Sequence, residues 1–234
     1  MQRRLIVEST VIAVTAAALA FFILTLLHAH LGDPAIHHFD LAVQARIHAT
    51  TTPTLTLVMR FLSFIGSTQV FIPTLLLALG ILLAIGEKEQ GRRLVRKRQT
   101  STLFAVAIGG ALILNEFFKH HFHRTRPQVP WTIGHEPSFS YPSGHSLFSF
   151  ILYGLIAYSV LTRHSPLRRR VPVALAAVAI TLAIGASRVY LGLHYPTDVL
   201  AGYITSAFWL SAAIFIDRRW TIHTLRQHHR LPLR

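Results

Sequence analysis

Cysteine is absent from the 234 residues, methionine occurs twice, and acidic side chains number nine against 23 Lys and Arg. Without thiols there is no disulfide, no thiolate zinc site and no cysteine nucleophile. The shortage of acid leaves a formal net charge of +14. In a soluble domain that balance would point to nucleic acid, whose phosphates attract clustered cations. Here only 14% of residues are charged and 52% are hydrophobic, with a mean hydropathy of +0.46, which is the composition of a membrane protein. Basic loops in such a chain record topology and attraction to anionic lipid, so the bilayer is the expected partner and nucleic acid is not.

Six apolar runs approach the roughly 17 to 25 residues needed to cross about 30 Å of hydrocarbon. They cover residues 5–27, 68–86, 101–119, 145–162, 171–187 and 199–216. The expected fold is all-α, a polytopic bundle of six transmembrane helices. No repeat, low-complexity linker or second domain interrupts it, and residues 1–234 read as one integral membrane domain. The runs at 145 and 171 are short and must stand nearly upright or lean on neighbours. Arg3 and Arg4 before the first run resemble the start of a secretory signal. That run is longer than an h-region of roughly 7 to 15 residues and lacks a following small-x-small site, so it reads as a retained span. Residues 34–66 mix Asp40, Arg46, His48 and Arg60 with apolar residues at near-helical spacing, broken at Pro53. They read as two amphipathic helices at the membrane surface.

Lys and Arg set the orientation. The 87–100 loop carries Lys88, Arg92, Arg93, Arg96, Lys97 and Arg98, the 163–170 loop carries Arg163, Arg168, Arg169 and Arg170, and both termini are basic. Six spans put all of these on one side, which the positive-inside rule makes cytoplasmic. The expected location is the cell membrane, with both termini cytoplasmic. Residues 28–67, 120–144 and 188–198 then face the other side. Six of the 23 basic residues fall outside the cytoplasmic segments, against the bias: Arg46, Arg60, Lys119, Arg124, Arg126 and Arg188.

Three polar clusters converge on that outer face. Lys119 and Arg126, the latter before Pro127, each have an ordinary reading as a snorkelling anchor or a solvated loop cation. In Pro142-Ser143-Gly144-His145, Ser143 suits a helix N-cap and Gly144 lets backbone approach a ligand. The free N–H groups of that first turn favour an anion. Ser187-Arg188 precedes His194 and Asp198, which stand four apart with Pro196 suited to a first helical turn, so the two side chains can meet. A carboxylate on one imidazole nitrogen fixes the tautomer and frees the other nitrogen as base or nucleophile. Three cations, two imidazoles and a carboxylate can hold and attack a phosphate without a metal or other cofactor.

Lys119-x6-Arg126-Pro127, Pro142-Ser143-Gly144-His145 and Ser187-Arg188-x5-His194-x3-Asp198 resemble the three signature motifs of the type 2 phosphatidic acid phosphatase (PAP2) superfamily. The motifs occupy about 80 residues, and the six-span layout extends the resemblance over nearly the whole chain. The resemblance implies roles. Lys119, Arg126 and Arg188 bind phosphoryl oxygens, aided by Ser143 and the Gly144 N–H. His194 attacks phosphorus to form a phosphohistidine, Asp198 orients it, and His145 protonates the leaving oxygen and then activates water.

The implied activity is metal-independent hydrolysis of a lipid phosphate or pyrophosphate, such as undecaprenyl pyrophosphate, phosphatidylglycerophosphate or phosphatidic acid. A lipid phosphotransferase of the same family is one alternative, and a non-enzymatic transporter or scaffold for anionic lipid is another. His120, His121 and His123 raise a metal site, but their spacing fits no familiar ligand pattern. Asn115 and Glu116, one turn from Lys119, read as supporting residues, and Trp131, Tyr141, Tyr190 and Tyr195 as an interfacial belt that also suits the site.

Overall fold

The structure is a computed structural model that describes residues 33–84, 90–162 and 167–228. The expected first span at 5–27, residues 163–166 of the second basic loop and the end of the C-terminal tail lie outside them. Among the described residues there are seven helices and no strand: α1 (Pro34–His48), α2 (Pro53–Ile65), α3 (Thr68–Ala84), α4 (Gln90–Phe122), α5 (Gly144–Thr162), α6 (Leu167–Tyr190) and α7 (Pro196–His228).

Local chemistry sets where the first two begin. Asp33 caps α1 by accepting the Ala35 N–H at 2.8 Å, and Thr52 caps α2 by accepting that of Leu55 at 3.2 Å. Each cap is followed by a proline at the first helical position, where its missing N–H costs nothing. Pro53 therefore starts a helix as well as ending a segment. Both helices turn polar residues inward: α1 buries Asp40 and Gln44, α2 buries Ser63, and Leu57, Phe61 and Phe64 on α2 are exposed.

Among the described residues, four helices contain segments long and apolar enough to cross a membrane: Ser101–Phe122, Gly144–Leu161, Arg170–Tyr190 and Pro196–Phe215. The runs expected at 101–119, 145–162, 171–187 and 199–216 fall in these helices. The run at 68–86 appears as α3 over its described residues, with 85 and 86 lying outside them. It reaches spanning length when joined to α2, from which it bends by 54° at Gly66 and Ser67. This chain is a multi-pass membrane protein.

Packing centres on α5, which lies against α3, α4, α6 and α7. Leu103, Phe104, Ala107 and Ala111 of α4 meet Leu147, Ile151 and Leu155 of α5 and Leu210 and Ala213 of α7. Small residues permit the close approach that membrane helices need, because lipid offers no hydrophobic drive to bring them together. A Cβ at Gly110 would stand 1.9 Å from Trp209 Cζ2, and the Trp209 indole N–H donates to Ala107 O at 2.8 Å. Gly202 of α7 is also pressed on the start of α5: a Cβ there would lie 2.8 Å from Ser143 O.

Candidate active site

The three sequence clusters gather at one end of the bundle, and the turns that end or begin helices put them there. α4 stops where His123 takes the left-handed conformation (φ 49°), with its N–H on Lys119 O at 3.1 Å. α6 stops at a Schellman turn: Gly192 (φ 71°) donates to Val189 O at 3.0 Å and Leu193 to Arg188 O at 3.0 Å. That turn folds the chain back, so the His194 N–H also reaches Arg188 O at 3.3 Å. α7 then begins at Pro196, and Asp198 in its first turn accepts the Tyr195 N–H on Oδ2 at 2.9 Å. A backbone bond from Ser143 N to Asp198 O, 3.0 Å, ties the start of α5 to the start of α7.

His194 is fully buried, with Nδ1 3.5 Å from Asp198 Oδ2 and Nε2 3.1 Å from Arg126 Nη1. A guanidinium has only donors, so Nε2 carries the lone pair and Nδ1 the proton, which faces Asp198. Burial, opposed by the Asp198 hydrogen bond, pushes the His194 pKa down to about 4, so the ring is neutral at pH 7. Asp198 is held in turn by the Ser140 hydroxyl on Oδ2 and by Arg124 Nη1 on Oδ1, the latter at 2.6 Å.

Glu136, on the segment between α4 and α5, occupies the centre of the site. Its carboxylate pairs with Arg126 Nη2 at 2.8 Å and with Arg188 Nη2, and lies 3.9 Å from His145 Nδ1 and 4.0 Å from His194 Nε2. Burial opposes its charge. Arg188 foremost, with His145, His194 and Arg126, nevertheless lowers its pKa to about 2.

The expected residues take different places around this carboxylate. Arg126, Arg188, His145 and His194 surround it, and Asp198 stands behind His194. Lys119 is buried rather than snorkelling, and its ammonium grips the Glu136 segment through Ser138 Oγ at 2.9 Å and Phe139 O at 2.8 Å. Ser143 caps α5: its Oγ accepts from the Ser146 N–H at 3.5 Å and from the Ser146 hydroxyl at 3.1 Å. Gly144 and His145 line a cavity of about 1090 Å³ together with the charged Lys119, Glu136 and Arg188 and the apolar Phe64, Ile72 and Leu112.

The aromatic belt is mostly interior. Tyr141, Tyr190 and Tyr195 are buried, Tyr190 against the Thr56 hydroxyl at 2.8 Å and Tyr195 beneath the Arg124 guanidinium, while Trp131 stacks on His48. The three histidines after Lys119 separate, His120 toward Glu116 at 3.7 Å, His121 stacked on Phe117 and His123 against Phe139. Asn115 is buried beside Gly144, with Oδ1 3.2 Å from where a Cβ would stand.

Glu136, Arg124, Asp40 and Ser140 escaped the reading of the sequence. The one available signal was the set of cations retained against the expected positive-inside bias, Arg124 among them.

Residues 100–221 match the PAP2 superfamily. The chain belongs to this superfamily. Phosphatidylglycerophosphatase B of Bacillus subtilis is 31% identical to it over 185 residues, covering 78% of this chain and 85% of that protein. An undecaprenyl-diphosphatase of Sulfolobus acidocaldarius is 27% identical, covering 82% and 85%. Among solved structures, a transmembrane PAP2 type phosphatidylglycerolphosphate phosphatase from Bacillus subtilis superposes with a TM-score of 0.73 at 27% identity, over 86% of this chain and 96% of that one. Aquifex aeolicus LpxE shares the fold, with a TM-score of 0.58 at 19% identity over 74% and 93%. The protein is thus a phosphatase of the PAP2 lipid phosphatase family.

Proposed function

We propose that this PAP2 protein hydrolyses phosphatidylglycerophosphate or undecaprenyl pyrophosphate through a phosphohistidine at His194. The observation that carries the reading is Glu136: two guanidiniums and two imidazoles close around one carboxylate, an arrangement suited to phosphoryl oxygens once Glu136 is displaced. His194 Nε2 attacks phosphorus and the bond to the lipid oxygen breaks. His145 gives that oxygen its proton, and Asp198 supports the charge that develops on the His194 ring. Water then attacks phosphorus, His145 takes its proton, the P–N bond breaks and phosphate leaves. Arg126 and Arg188 stabilise the charge of the transferring group, with Lys119, Ser143 and Gly144 completing the anion site. No metal or cofactor enters these steps.

The cavity supports lateral entry of a lipid, since it is lined both by His145 and Arg188 and by apolar side chains of α2, α3 and α4. The relatives' names favour the two substrates proposed. In this reading residues 1–234 form one domain with six spans, the first at 5–27, in the cell membrane, with both termini cytoplasmic and the site on the extracytoplasmic face. A reporter fused to the C-terminus is expected to give a cytoplasmic signal, and a periplasmic one overturns the topology.

The decisive assay measures phosphate release from lipid phosphates in chelator. We expect turnover by the unaltered protein and none by a folded His194→Ala variant. Retained turnover in that variant removes His194 as nucleophile, and a phosphorylated acceptor in place of free phosphate makes the enzyme a transferase.

A further inference from the structure

α1 lies outside the three motifs, yet it reaches the catalytic segment at both ends. Asp40 and Gln44, one turn apart, are 0% and 1% exposed. Gln44 Nε2 donates to His194 O at 3.0 Å. Asp40 accepts the Thr197 N–H at 3.1 Å and the Thr197 hydroxyl at 2.7 Å. Between the helices stands Arg124, whose Nη2 meets Asp40 Oδ2 at 2.7 Å while Nη1 meets Asp198 Oδ1 at 2.6 Å. Its guanidinium also lies 4.1 Å above the Tyr195 ring.

From this geometry we infer that Asp40 and Arg124 are positioning residues for catalysis, setting the orientation and charge of Asp198 and, through it, the nucleophilicity of His194. The inference rests on the reading of His194 as nucleophile. Asp198 has two oxygens, and only Oδ2 faces His194; Arg124 on Oδ1 stops the carboxylate from rotating. An unshared guanidinium there would also neutralise Asp198 and weaken it as an acceptor. Asp40 draws part of that charge to itself, leaving one net negative charge across the two carboxylates and the guanidinium. That charge is needed when Nε2 bonds phosphorus and the ring, its Nδ1 proton facing Asp198, becomes cationic. A buried ionic triad is a poor device for stability alone, because desolvation offsets most of its attraction. Its contacts with the catalytic segment give it a use.

Three variants test this on the full-length protein in detergent: Asp40→Asn, Arg124→Lys, which keeps the charge but cannot span two carboxylates, and Arg124→Met. Turnover of a lipid phosphate and competitive inhibition by inorganic phosphate are measured beside the unfolding temperature. We expect kcat to fall at least about tenfold in Asp40→Asn and in Arg124→Lys, with KM and the phosphate inhibition constant within about twofold. Adding Asp40→Asn to Arg124→Met should lower kcat no further, because Asp40 acts through Arg124. Unchanged kcat in folded variants, a loss confined to KM, or full additivity in kcat overturns the inference. His194→Ala separates the two readings: if it retains turnover the nucleophile is wrong, whereas if it is inactive and Asp40→Asn is normal, only the positioning role fails.

Discussion

A carboxylate in the proposed phosphate site must compete with phosphate. Glu136 holds Arg126 and Arg188 together, and any anion binding to those guanidiniums has to break both pairs. Glu136→Gln, similar in shape but uncharged, is expected to strengthen inhibition by inorganic phosphate by about tenfold, equivalent to about 1.4 kcal/mol. Titration of initial rates against phosphate checks this, and weaker inhibition would make Glu136 part of the binding site. The sequence could not disclose this carboxylate, because Glu136 meets Arg188 across 52 positions. His194 and Asp198, by contrast, are joined by a spacing of four, and the Ser143 cap acts within three residues. Chemistry built from local spacing was readable, and chemistry built from loop closure was not.

Helices were legible where hydropathy was high, as in the apolar stretches of α4 to α7. The basic residues read as loops at 87–100 and 163–170, by contrast, belong in part to the starts of α4 and α6. α1 and α2 carried helical spacing too, but their polar side chains gave no sign of which way they faced. Asp40 points inward because Arg124, 84 positions away, supplies its counter-charge. At the α4–α7 seam the decisive property is the absence of a side chain. Gly110→Ala places a methyl inside the Trp209 ring and should destabilise the bundle by about 1 to 3 kcal/mol, the usual range for overpacking. A lower unfolding temperature in detergent would register it, and an additional Trp209→Leu change should recover part of the loss.

Proton binding to the whole molecule follows from its buried groups. His194 ordinarily titrates near 6.5 but only near 4 when folded, so between those values the unfolded chain binds the extra proton. Its contribution to stability is complete above about 6.5 and is lost as pH falls toward 4. Glu136 ordinarily titrates near 4.5 but near 2 in the fold, so its contribution is present above 4.5 and lost as pH falls through 2. The unfolding temperature should therefore decline in two successive acid windows, and His194→Gln should make the upper one shallower. A decline confined to pH below 4 in the unaltered protein would contradict the burial of a neutral His194.

The contact of Gly202 with Ser143 bears on how the enzyme keeps time between its two imidazoles. His145 rides on the first turn of α5 and His194 on the approach to α7, so their separation depends on how near those two helices come. A lone hydrogen at residue 202, facing Ser143 and Ser146, acts as the shim of that gap. A methyl in its place would lever His145 away from His194 while leaving both imidazoles chemically intact.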